Sequence, residues 1–166
     1  MNLFALTLFM GLVIFIQVTL LNFFPVFGVK PDLLLILVVL NAFQKGCREG
    51  ALAGFLGGLM MDIAVGSYIG MNALVLMAAG YLVGLVESKL YKDSTVIIVV
   101  LTLISSLFTQ FLTYILLYSM DVSISPGVAM FRVGMPTALY TAVLVPLFCR
   151  WFVRSNRESL IYNRRI

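Results

Sequence analysis

The chain has 166 residues, of which 62% are hydrophobic and 11% charged, and its mean hydropathy is +1.10. Soluble domains carry roughly 25% charged residues, so this composition argues against water as the main solvent and for a lipid bilayer. The net charge of +4 does not indicate nucleic-acid binding, because the basic residues lie between apolar runs and do not cluster among aromatic residues.

Residues that carry catalytic or metal chemistry are almost absent. The chain has no histidine, and its two cysteines, Cys47 and Cys149, form no zinc-binding spacing. No GxSxG, HExxH or Walker sequence occurs. We therefore expect no enzyme activity, no catalytic residue, no metal and no cofactor, and we interpret both thiols as structural.

Six apolar segments predict an all-α bundle of about six transmembrane helices. The first lacks the basic start and the cleavage site of a signal peptide, so we expect it to be retained. The second has the shortest uncharged run and is expected to be short, tilted or partly re-entrant. The predicted helices are Leu3–Phe24, Pro31–Gln44, Gly50–Val65, Met71–Val86, Ser94–Tyr118 and a last helix from Pro126 to about Cys149, bent at Pro136 and Pro146.

The distribution of lysine and arginine predicts the orientation, because positive charge is retained on the cytoplasmic side. With the N-terminus inside, nine of the 11 basic residues fall in cytoplasmic segments, and only Lys30 and Arg132 lie outside. Both termini are then cytoplasmic, as an even number of spans requires. We divide the chain into a transmembrane domain, residues 1–149, and a basic cytoplasmic tail, residues 150–166. Trp151 and Tyr162 flank the arginines of the tail, and two interpretations stay open: the tail lies against anionic headgroups, or its charges only anchor the topology.

A four-residue glycine register is the most informative pattern. Gly50, Gly54 and Gly58 share one face of the third predicted helix and form a groove without side chains, and Gly80 and Gly84 form a second one on the fourth helix. Small-residue faces are the main packing device for helices in lipid. Two interpretations stay open: the groove packs helices within this chain, or it docks a helix of a partner protein.

Asp62 ends the glycine register and is the carboxylate placed deepest in a predicted span. A charge at such a depth is costly and needs a partner, so we expect an ion pair with Arg132, with Lys30 as the second choice and Ser67 and Asn72 as nearby donors. The alternative is proton or cation coupling, which a single acid without a repeated broken helix supports poorly.

The fifth predicted helix carries a polar stripe at intervals of three or four residues. We expect its side chains to form hydrogen bonds between helices, worth about 0.6 kcal/mol each, or to line a pocket. The stripe consists of Thr102, Ser106, Thr109, Gln110 and Thr113.

The order of these motifs resembles the MreD family of rod shape-determining proteins. The resemblance rests on a proline-aspartate entry to an apolar helix (Lys30–Leu35), a glycine-rich helix that ends in aspartate (Glu49–Asp62), a glycine turn before Gly70–Leu74, and Gly80–Gly84 in the next span. It covers roughly Lys30 to Gly84. Outside this range only the size, the helix count and the basic tail agree.

The resemblance implies a non-enzymatic scaffold of the lateral wall-elongation complex in the bacterial inner membrane. Its implied partners are the single-span protein MreC, the actin-like MreB, the glycosyltransferase RodA and a class B penicillin-binding transpeptidase. The glycine groove, Asp62 and the outer loop then become candidates for holding MreC.

Two alternatives remain open. One is the substrate-specific subunit of an energy-coupling-factor vitamin transporter, which is similar in size and helix count. Its docking motif, alanine-xxx-alanine on the first helix, is missing here. The other alternative is a secondary transporter, which the absence of an internal repeat disfavours.

Overall fold

The computed structural model describes residues 3–19, 30–66, 68–87, 95–120 and 134–162. These ranges contain six helices and no strand, which confirms the all-α prediction. The predicted parts at residues 20–24 and 126–133 lie outside the described ranges. The helices are α1 (Leu3–Thr19), α2 (Leu33–Lys45), α3 (Cys47–Val65), α4 (Met71–Glu87), α5 (Thr95–Ser119) and α6 (Met135–Tyr162).

Only Gly46 separates α2 from α3. The predicted bounds, Gln44 and Gly50, left five residues between these helices, whereas Lys45 ends α2 and Cys47 already begins α3. Gly46 has φ 87°, a left-handed conformation that glycine adopts without steric penalty. Its N–H donates to the carbonyl of Ala42 at 2.9 Å. One residue thus reverses the chain, and the two helices form a very tight hairpin.

Helix α2 lies at the centre of the bundle. All its residues from Leu33 to Phe43 are buried, and α2 packs against each of the other five helices. A helix that is apolar on every side is expected in such an enclosed position. At about 1.5 Å per residue its 13 residues extend about 20 Å. The short apolar run noted in the sequence is therefore that of a helix surrounded by protein.

The other five helices form an open ring around α2. Successive neighbours in the ring are α1, α3, α4, α5 and α6, and each packs against the next. Among the described residues α1 and α6 do not pack against each other. Each of these two helices consequently has a flank that no other described helix covers.

Large apolar side chains are exposed on the outer helices α1, α3, α4, α5 and α6. By length and composition, Val96–Ser119 of α5 is the one described segment that can cross a membrane. Six helices are thus established, whereas six membrane spans stay a prediction. Shorter apolar stretches lie in four other helices, at Leu6–Thr19, Leu33–Lys45, Met71–Val86 and Met135–Phe148.

Helix α6 continues past Cys149, its predicted end, to Tyr162. Pro136 lies in the first turn of the helix. N–H groups there have no partner within the helix, so proline costs no hydrogen bond at this position. Pro146 lies inside the helix. The end of the predicted transmembrane domain and the start of the predicted tail therefore belong to one continuous helix.

We expect Leu37→Ala to lower the free energy of unfolding by about 2 kcal/mol, the low end for leucine truncation in a core. Leu37 is 0% exposed at the centre of α2, and lipid tails are as apolar as leucine, so the packing loss dominates. Denaturant unfolding of the purified protein in bicelles measures this change. Leu139→Ala is the matched control, because Leu139 is 59% exposed and its truncation should change stability by less than about 0.5 kcal/mol. Equal effects of the two substitutions would contradict the central position of α2.

Candidate site at the glycine interface of α3 and α4

The glycines of α3 lie against the backbone of α4. A Cβ atom added at Gly50 would come within 2.6 Å of the Gly80 carbonyl oxygen, and one at Gly58 within 2.5 Å of the Asn72 carbonyl oxygen. At Gly54 the added atom would collide with the Leu76 carbonyl. No side chain fits at these positions, so the three glycines bring two helix backbones into direct contact. This face is occupied by a helix of the same chain.

The glycines of α4 complete the same interface. An added Cβ at Gly80 would collide with the backbone of Gly50, and one at Gly84 with the backbone of Cys47. The contact therefore runs from the start of α3 along most of its length. Since α3 and α4 are antiparallel, the four-residue spacing on α3 meets a matching spacing on α4.

Gly57 has a different environment from the other α3 glycines. An added Cβ there would meet flexible side chains, at 3.0 Å from Leu34 Cδ1 and 3.3 Å from Met10 Sδ. Gly57 thus faces α2 and α1, and its neighbours can move aside more easily than a backbone can.

Asp62 caps the N-terminus of α4. Its carboxylate accepts hydrogen bonds from the backbone N–H groups of Gly70 at 2.8 Å, Asn72 at 3.1 Å and Ala73 at 3.2 Å. Asp62 is only 1% exposed. The first N–H groups of a helix lack intrahelical partners and carry partial positive charge. A buried carboxylate at this place satisfies the donors and is stabilised by them.

The predicted ion pair between Asp62 and Arg132 stays a prediction, because Arg132 lies outside the described residues, as does Ser67. Lys30, the second choice, is exposed. Asn72 interacts with Asp62 through its backbone N–H. The capping role was not foreseen, since a contact between the end of α3 and the start of α4 depends on the conformation of the hairpin.

A second polar cluster lies at the N-terminus of α2. Asp32 caps this helix by accepting from the Leu35 N–H at 3.0 Å. The Asp32 N–H donates to Thr141 Oγ1 of α6 at 3.1 Å, and the Leu34 N–H donates to Gln17 Oε1 of α1 at 3.2 Å. This cluster therefore joins α1 and α6 to the central helix. The sequence indicated Asp32 as a residue of the first turn but gave no sign of Gln17 or Thr141.

The polar stripe on α5 is largely buried. Thr102, Ser106 and Thr109 are buried, and Gln110 and Thr113 are half-buried. The hydroxyls of Thr102 and Thr109 donate to carbonyl oxygens of their own helix, at 2.8 and 2.9 Å. The bonds that these two hydroxyls donate therefore stay within α5, because a threonine in a helix readily reaches the preceding turn.

A small groove between α4 and α5 has a volume of about 130 Å³. It is lined by apolar side chains of both helices and by Ser105, and by none of the stripe residues. Among the described residues no group of three or more acidic, cysteine or histidine residues is placed to bind a metal ion.

We expect Gly54→Ala to destabilise the protein by about 1–3 kcal/mol, the usual range for overpacking. The added methyl meets the Leu76 backbone, which is unable to move without separating α3 from α4. Thermal unfolding in detergent checks this expectation. Gly57→Ala is the matched control on the same helix, because its added methyl group meets flexible side chains where that of Gly54→Ala meets backbone. The gain of up to about 1 kcal/mol in helix propensity offsets these contacts, so its stability should change less than that of Gly54→Ala. If Gly57→Ala proved the more damaging change, the assignment of the α3–α4 contact would fail.

We expect Asp62→Ala to cost about 2 kcal/mol, because three N–H groups at the start of α4 lose their acceptor, and the hydrogen bond from Ala73 among them is buried. Asp62→Asn keeps one carbonyl acceptor and should cost less. A double-mutant cycle with Arg132→Gln, measured by denaturant unfolding, tests the ion pair separately. A coupling energy near zero would rule out the ion pair between Asp62 and Arg132 and leave the capping role of Asp62 intact. Wild-type stability of Asp62→Ala would rule out both roles.

Comparison with known proteins identifies the family. The family model described as rod shape-determining protein MreD matches residues 1–156, a longer stretch than the one that carried the resemblance in the sequence. No curated relative and no solved structure matches the chain. Since the family match extends over nearly the whole chain, the protein belongs to the MreD family of rod shape-determining proteins.

Proposed function

We propose that this protein is a non-enzymatic, multi-pass scaffold of the bacterial inner membrane that organises an MreC-like single-span protein and peptidoglycan synthases during lateral wall elongation. Family membership gives the role in rod shape determination; the scaffold role and the partners are our inference. In this proposal all six helices cross or enter the membrane, and both termini are cytoplasmic.

The observation that carries the proposal is the open ring of helices. Helices α1 and α6 each have a flank without a described neighbour, and α1 exposes large apolar residues such as Leu8 and Leu12. Without a hydrophobic driving force between helices in lipid, association depends on surfaces that pack closely. A partner's membrane helix at this opening would complete the ring around α2.

The use of the acidic groups also favours a scaffold. Asp32 and Asp62 both cap helices within the fold, which gives each a structural role that needs no substrate. The glycine groove is filled by α4, so a partner is expected at the opening between α1 and α6. We assign the basic cytoplasmic segments to MreB or to membrane lipid; RodA and the transpeptidase would join through the same assembly.

Co-purification from native membranes tests this proposal. We expect the wild-type chain to retain a single-span partner in a fixed ratio, and Leu8→Trp or Leu12→Trp, on the exposed face of α1, to reduce that ratio at least several-fold. Leu52→Trp and Ile104→Trp are matched controls on the exposed faces of α3 and α5, and they should retain the partner. Purification with a bound vitamin or an ATPase module would instead support a transport subunit and overturn the scaffold.

A further inference from the structure

One face of α6 is exposed along its whole apolar stretch. Leu139, Val143 and Leu147 are 59%, 73% and 71% exposed, whereas Ala142 and Val145 are buried. Successive exposed residues are four apart, so they form one ridge along the helix. In a bilayer this ridge faces the lipid tails.

The same face continues into a row of arginine positions. Helix α6 is unbroken from Met135 to Tyr162, and positions 150, 154 and 157 follow Leu147 at intervals of three, four and three residues. At about 100° per residue these intervals keep all three positions on the side of the apolar ridge. Along one side of the helix, positions that hold leucine and valine are thus followed by positions that hold arginine.

The change occurs where the apolar part of α6 ends. The apolar stretch runs from Met135 to Phe148, and Arg150 follows it by two residues. A helix face that points at lipid tails points at lipid headgroups one or two turns further along. Arginine binds phosphate through paired hydrogen bonds, and anionic lipids attract basic segments next to a membrane span.

We propose that the face of α6 formed by positions 150, 154 and 157, here called the arginine face, binds the phosphate headgroups of anionic phospholipids in the cytoplasmic leaflet. The assignment to the cytoplasmic leaflet rests on the orientation given in the proposed function, whereas the preference for anionic headgroups is independent of it. Alignment with the lipid-exposed ridge favours lipid over an acidic cytoplasmic protein, which has no need of that alignment.

One acidic residue lies close to the arginine face. Glu158 follows Arg154 by four residues, the spacing at which side chains on a helix interact. Glu158 would therefore compete with lipid for Arg154. Arg150 and Arg157 have no acidic residue three or four positions away within this segment, so they are expected to contribute most.

The single tryptophan of the chain, Trp151, allows a test without labels. The full-length protein is reconstituted in vesicles that contain brominated phosphatidylglycerol or brominated phosphatidylcholine, and the quenching of Trp151 fluorescence is compared. We expect a preference for phosphatidylglycerol that weakens with salt. It should fall in the Arg150→Gln/Arg157→Gln variant by up to about fivefold for each arginine, the factor that corresponds to about 1 kcal/mol.

Two further variants make the result specific. Lys45→Gln/Arg48→Gln removes the same charge from the junction of α2 and α3 and should leave the preference unchanged. Glu158→Gln removes the competing acid and should strengthen it. Equal quenching by the two lipids in the wild type, or an equal loss in the Lys45/Arg48 control, would overturn the proposal. So would unchanged lipid preference together with loss of a bound acidic protein in the Arg150/Arg157 variant.

The result is separable from the scaffold proposal. Symmetric vesicles report the headgroup preference whether or not a partner co-purifies with the chain. A reporter fused to the C-terminus gives the leaflet in cells, and activity on the outer side would overturn the cytoplasmic assignment.

Discussion

The fold depends on direct backbone contact between α3 and α4. In lipid, apolar side chains gain little by leaving the solvent, so helices associate through close packing. Gly50, Gly54 and Gly58 remove every side chain that would hold α4 away, and Asp62 closes the far end of the hairpin by capping α4. Dispersion along the glycine face and hydrogen bonds at its end thus stabilise the same pair of helices.

The central helix α2 depends on its neighbours for hydrogen-bond acceptors, which lipid tails do not supply. At about 20 Å it is shorter than a bilayer core, so its N-terminus would present unpaired N–H groups to hydrocarbon if it faced lipid. Asp32 and Gln17 accept hydrogen bonds from this first turn, and Thr141 accepts from Asp32. The polar cluster thereby satisfies α2 and also links α1 to α6, the two helices that do not pack against each other.

Sequence reasoning succeeded where the relevant interaction lies within one helix and failed where it joins segments distant in the chain. The glycine spacing is visible because positions four apart share a helix face. The convergence of Gln17 and Thr141 on α2 depends on the packing of three helices, and no local pattern encodes it. The junction at Gly46 lies between these cases. Charged residues usually indicate a loop, but here Lys45 belongs to α2 and Glu49 to α3. Their side chains form an ion pair across the junction, with Lys45 Nζ 3.9 Å from Glu49 Oε2.

The proposed scaffold role needs a rigid interior and an exterior that can still bind a partner, and this chain separates the two by residue type. Glycines and acidic caps fix the interior, where a change of one methyl group forces backbones apart. The outward faces carry large apolar residues. Their surroundings can change from lipid tails to a partner's helix, since both offer similar contacts. In the proposed scaffold, selection between lipid and partner must then come from shape at the opening between α1 and α6, and from charge where α6 is proposed to leave the membrane. On this argument the least packed part of the ring is the part most suited to assembly.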